Sequence, residues 1–131
     1  MALINEQAVD FKELELRCAT ADFFPKRGDT STATQTTNRT TAVTCDSLVG
    51  QITTNTASLA AGLEATFTVN NKYVSSKDVI VLSVASGNAT TTLAYVSAVG
   101  TGSFAITISN LHASTAETGA IVINFIVLGG N

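Results

Sequence analysis

The chain holds one histidine, two cysteines and ten carboxylate side chains, the groups from which catalytic and metal sites are built. His112 lies in the stretch Asn110-Leu111-His112-Ala113. A metal site needs three or four suitable ligands, and only scattered carboxylates could join this imidazole. It reads as an exposed loop histidine. Cys18 and Cys45 are far apart and in no metal spacing, and two buried free thiols are expected rather than one bridge. Serine is abundant enough for a Ser-His-Asp triad, but no G-x-S-x-G elbow frames one. No phosphate loop and no pair of catalytic carboxylates stands out. The sequence points away from an enzyme, with no catalytic, metal-binding or cofactor-binding residue expected.

Several short motifs have plain readings. Arg27-Gly28-Asp29 spells a tripeptide read by integrins, yet nothing else supplies a cell-surface context, so a hinge is expected there. Asn38-Arg39-Thr40 and Asn88-Ala89-Thr90 match the glycosylation sequon. The first residues, Met1-Ala2-Leu3-Ile4-Asn5-Glu6, lack the basic and apolar regions of a secretory signal, so modification is not expected. Asp78 could hold calcium only with oxygens from other loops and reads as a solvated turn carboxylate.

The elements that must position these groups follow from composition. The chain has 131 residues, the size of one domain. Only 13% of residues are charged, and threonine occurs 21 times. β-Branched, uncharged side chains of this kind suit many short strands. The net charge of −3 provides no basic field for phosphates, so nucleic-acid binding is not expected. No apolar run reaches the length of a membrane-spanning helix, and no membrane partner is expected.

Charge is distributed unevenly. Residues 1–29 carry ten of the seventeen charged side chains, and residues 79–131 carry one, Glu117. The expected organisation is an N-terminal arm, 1–29, followed by a nearly neutral domain, 30–131. Pro25 and Gly28 punctuate the boundary. Within the arm, Ile4, Ala8, Phe11, Glu15 and Cys18 have helical spacing, while Phe11–Leu16 also alternates as a strand would. The adjacent Phe23 and Phe24 must be buried somewhere, against the chain's own body or against a partner.

Residues 30–41 are Thr-rich and polar on both faces, fitting either a flexible linker or an extended segment at a sheet edge. Strand signals then follow at 42–48, 50–54, 65–69, 78–85, 91–99, 103–109 and 121–128. In Ala65–Val69, Ala65, Phe67 and Val69 share one face; in Ser103–Ser109, Phe104, Ile106 and Ile108 do. Val79-Ile80-Val81-Leu82 is continuously apolar, as in a strand buried on both faces or lying at a subunit contact. The sum is an all-β, antiparallel sandwich of about seven to nine strands, jelly-roll-like or Ig-like.

Open sheet edges are usually guarded by Lys or Pro, and residues 79–131 contain neither. Oligomerisation is therefore expected, with Val79, Val81, Ile121, Ile123 and Phe125 as self-association residues.

The body resembles the small β-sandwiches of tailed-bacteriophage capsid decoration (cement) proteins and head fibres. The resemblance covers about residues 28–131. It rests on Thr34-Gln35, Arg39-Thr40-Thr41-Ala42-Val43-Thr44, Leu48-Val49-Gly50-Gln51-Ile52-Thr53, Leu59-Ala60-Ala61, Phe67-Thr68-Val69, Asp78-Val79, Gly102-Ser103-Phe104, Asn110 and Ile123-Asn124-Phe125. It implies a homotrimer on the outer surface of a virion, bound to the major capsid protein, with no catalysis and no cofactor. Similar sandwiches also form trimeric tips of tail fibres and tailspikes that contact the host. On the decoration reading, the arm anchors to the capsid through Phe11, Leu14, Leu16, Phe23 and Phe24, with Lys12, Arg17, Lys26 and Arg27 pairing with capsid carboxylates.

Overall fold

The computed structural model describes residues 30–87 and 91–129. The described chain forms eight strands: β1 (Thr30–Thr34), β2 (Val43–Thr44), β3 (Val49–Thr53), β4 (Glu64–Asn70), β5 (Val79–Ser86), β6 (Thr92–Gly100), β7 (Ser103–Asn110) and β8 (Val122–Leu128). No helix occurs among the described residues. Two four-stranded sheets, ordered β1-β3-β8-β5 and β2-β4-β7-β6, pack face to face as a β-sandwich. The helix-or-strand segment expected in residues 1–29 lies outside the described residues.

Alternation decides which side chains enter the core. Ala65, Phe67 and Val69 of β4 are buried, while Glu64, Thr66, Thr68 and Asn70 are exposed. Across the interior, Ile123, Phe125 and Val127 of β8 are buried, and Asn124 between them is exposed. Phe104 of β7 and Phe125 of β8 meet edge to face, with ring centroids 5.2 Å apart, and so join the two sheets. Such a pair contributes about 0.5–1.5 kcal/mol beyond its buried area.

Six strands pair antiparallel with a neighbour, but β1 runs parallel to β3, and β2 parallel to β4. Parallel neighbours need a crossover connection. Here the crossover is itself a strand of the facing sheet: β2 lies between β1 and β3 in the chain, and β3 between β2 and β4. The chain thus winds between the sheets before settling into antiparallel pairing. This connectivity was not legible from hydrophobic periodicity, which reports faces and not neighbours.

Three sequence expectations are sharpened. The Thr-rich segment is an edge strand at Thr30–Thr34 and a loop beyond it. The strand expected at 42–48 reduces to Val43–Thr44, although Val43 and Cys45 are both buried as its alternation implied. The apolar run at 79–82 belongs to an edge strand, β5, whose inward residues Ile80, Leu82 and Val84 are only half-buried. One expectation is corrected. Ile121, Ile123 and Phe125 are core residues, at most 2% exposed, and cannot serve as self-association contacts. The packing of two sheets claims the apolar side chains of β8 that the sequence had offered to a partner.

Candidate functional site

The register shows that strands reverse direction at each connection, so the loops gather at two ends. One end collects residues 35–42, 54–63 and 111–121; the other collects 45–48, 71–78 and 101–102. At the first end lies a buried polar cluster that the sequence reading missed. Arg39 is 3% exposed and Glu117 is 1% exposed. The guanidinium donates to the carbonyls of Ala57, Glu117 (3.2 Å) and Gly119 (2.8 Å), and to the Thr54 hydroxyl (3.2 Å). The Glu117 carboxylate accepts from Thr92 Oγ1 and the Gly119 amide, each at 2.9 Å.

Burial pushes the Arg39 guanidinium below its ordinary pKa, and the charge of Glu117 opposes that shift. Gln35 extends the cluster by donating to the carbonyls of Arg39 and Thr41 and accepting from the Asn55 amide. The described residues have no buried side-chain nitrogen or oxygen without a hydrogen-bond partner. The cluster closes an end of the sandwich and offers no open coordination to a ligand.

The other candidate groups are likewise committed to loops. His112 Nδ1 accepts from the amides of Ser114 (3.1 Å) and Thr115 (2.9 Å), which fixes it as a turn cap. Asp78 accepts from the Ser75 amide and hydroxyl. Asn38 Oδ1 holds the amide and hydroxyl of Thr40, and Asn110 Nδ2 holds the carbonyls of Leu59 and Thr115. Cys45 is a buried free thiol beside Ser31 Oγ at 2.9 Å. Among the described residues, no three His, Cys, Asp or Glu side chains group as metal ligands would.

What remains is surface, and the outer face of the β1-β3-β8-β5 sheet is ordered in rows. Cross-strand register lines up Thr30, Val49, Ile126 and Val81. The next outward row is Thr32, Gln51, Asn124 and Ser83, where Gln51 Nε2 donates to Asn124 Oδ1 at 2.9 Å. Leu128 pairs with Val79 beyond the apolar row. Val79 and Val81 are 56% and 47% exposed, so these two expected contact residues do reach the surface. Their companions on β8 are Ile126 and Leu128, not Ile121, Ile123 and Phe125. Parity carried the signal: Ile126 and Leu128 share the face of the polar Asn124.

The outer face of the β2-β4-β7-β6 sheet differs. Leu93 and Tyr95 are exposed on β6, and the Tyr95 hydroxyl donates to Glu64 Oε1 at 3.1 Å. Thr66 and Thr107 join their hydroxyls at 2.7 Å beneath them. The expected anchoring residues Phe11, Leu14, Leu16, Phe23, Phe24, Lys26 and Arg27 lie outside the described residues.

Comparison of the chain with family models, with curated proteins and with solved structures gives no match. The surfaces above therefore stand on their own geometry.

Proposed function

We propose that the protein is a virion structural protein: a capsid decoration (cement) protein that binds the major capsid protein on the outer shell as a homotrimer and stabilises the head. One spatial relationship supports the reading. β1 and β5 are opposite edges of one sheet, about 14 Å apart at ordinary strand spacing. The charged arm joins at Thr30, on the β1 edge. The β5 edge carries no charge at all. One protein can then meet two kinds of partner without competition, copies of itself on the neutral side and a capsid surface through the arm.

The energetics follow from valency. Three weak arm contacts held on one trimer act at high effective concentration, so modest individual affinities add to stable attachment. Bridging neighbouring capsomers raises the free energy needed to separate them.

Copy number per virion tests the reading. A decoration protein is present in hundreds of copies, and gold-labelled antibody marks the head. A few copies with label at tail ends assigns the protein to a receptor-contacting fibre tip and overturns the decoration reading. A chain lacking residues 1–26 is expected to lose capsid binding while remaining a folded trimer. Full occupancy of shells by that truncated chain removes the arm as anchor.

A further inference from the structure

One face of the sandwich carries an apolar row that begins where the arm joins. In the β1-β3-β8-β5 sheet, Thr30, Val49, Ile126 and Val81 stand side by side on the outer face, and Leu128 and Val79 follow toward the end of the sheet. Val79 and Val81 are more than two-fifths exposed, and Val49, Ile126 and Leu128 are half-buried. The hydrogen bond between Gln51 and Asn124 bounds the row on its other side. The facing sheet packs against the opposite side of these strands and so leaves the row untouched. The outer face of the other sheet is polar instead, with Tyr95 bonded to Glu64 and Thr66 to Thr107.

Size and position together identify the occupant. The row spans three strand spacings, about 14 Å, and two residues along the strands, about 7 Å. That is far below the roughly 800 Å² per partner of a stable interface, so a second copy gains too little from it. It suits one or two aromatic rings, which bury about 150–250 Å² each. The chain supplies such rings close by. Phe23 and Phe24 precede Thr30 with only Pro25-Lys26-Arg27-Gly28-Asp29 between, a charged tether in which Gly28 permits a reversal. The six steps from Phe24 to Thr30 reach about 20 Å when extended, more than the width of the row. So short a tether holds the rings near the row at an effective concentration on the order of millimolar, which any other occupant must overcome.

We infer that the Phe23–Phe24 pair of the arm docks on the Val49, Ile126 and Val81 row of its own chain. The row then meets the chain's own arm rather than a second copy. Residues 1–22, with Phe11, Leu14 and Leu16, remain to reach a partner. Docking gives them a fixed starting point and direction, which lowers the conformational entropy lost when they bind. The inference does not rest on the decoration reading, because docking is a property of the single chain.

The test uses the full-length chain with Cys18→Ser, so that the arm has no thiol of its own, while Cys45 stays buried. Asp22→Cys beside the phenylalanines and Ser83→Cys beside Val81 are linked by a short bis-maleimide, and the joined peptides are read by mass spectrometry. Ser83 is exposed on the polar row next to the apolar one, so the docking residues themselves stay unchanged. The control pairs Asp22→Cys with Thr68→Cys, exposed on the outer face of the other sheet. Linking to position 83 is expected at the single-chain mass of 13.5 kDa, about tenfold faster than to position 68. Adding Phe23→Ser and Phe24→Ser is expected to abolish that difference. Equal rates at the two positions overturn the inference. Linked species at twice the single-chain mass assign the row to the arm of a second copy and overturn it as well. A preference that survives the loss of both phenylalanines overturns their role as the contact. Should Ser83→Cys fail to fold, Gln51→Cys on the same polar row replaces it.

Discussion

Arg39 and Glu117 are both buried, and the Nη2 of Arg39 donates to the backbone carbonyl of Glu117 at 3.2 Å. The guanidinium thereby ties its own loop to two others through their carbonyls, at Ala57 in one and at Glu117 and Gly119 in the other. Arg39→Leu would leave those oxygens without a donor and Glu117 without a nearby positive charge. Breaking a buried charged group of this kind costs about 3–5 kcal/mol. Glu117→Gln is expected to cost less, about 1–3 kcal/mol, because the amide keeps the shape and one acceptor. Urea unfolding checks both, as a lower midpoint at unchanged slope.

Gly50 and Gly87 are predicted to be intolerant of alanine for different reasons. A Cβ at Gly50 would lie 2.4 Å from the Phe125 ring and 2.8 Å from Cys45 Sγ. Such overpacking costs about 1–3 kcal/mol. Phe125→Leu, added to Gly50→Ala, should recover part of the loss relative to the sum of the single changes. Gly87 has φ +87°, and a Cβ there would lie 1.8 Å from the Ala120 carbonyl oxygen. Backbone must move in that case, so Gly87→Ala should lower the thermal midpoint further than Gly50→Ala.

Tyr95 provides a pH-dependent readout. Its pKa is raised above the ordinary tyrosine value by desolvation first, then by its hydrogen bond to Glu64 and the charge of that carboxylate; the Thr107 hydroxyl acts the other way. A pKa raised on folding means the folded chain keeps the proton longer than the unfolded chain. The stabilising contribution is present in full below the unfolded pKa, near pH 10, and is lost as pH rises through the folded value. In a Tyr73→Phe background Tyr95 is the single tyrosine. Its phenolate absorbance should rise above pH 10, and Glu64→Gln should move that rise to lower pH.

Cys45 is 1% exposed. In a Cys18→Ser protein, its reaction with Ellman's reagent should be at least about 100-fold slower than that of a free thiol, because it waits on opening of the sandwich. Gly50→Ala should speed the reaction. Fast modification in the native protein would show that the β1/β2 side opens readily.

Sequence alone determined the strands and most of their faces. In β4 and β7 the alternation of Ala65, Phe67 and Val69, and of Phe104, Ile106 and Ile108, named the core residues, because a strand's period of two is a local property of the backbone. The uneven distribution of charge was also visible, as was the absence of any guard on the later strands. Other features depended on which segments become neighbours. The parallel β1–β3 and β2–β4 pairs, the closure around Arg39 and Glu117, and the placement of β5 and β6 as outermost strands among the described residues depend on contacts between residues distant in the chain. The apolar run of β8 shows the difference most clearly. Ile123, Phe125, Ile126 and Leu128 are equally apolar in sequence. Only a facing sheet makes the first two core, and only the lack of one leaves the last two at the surface.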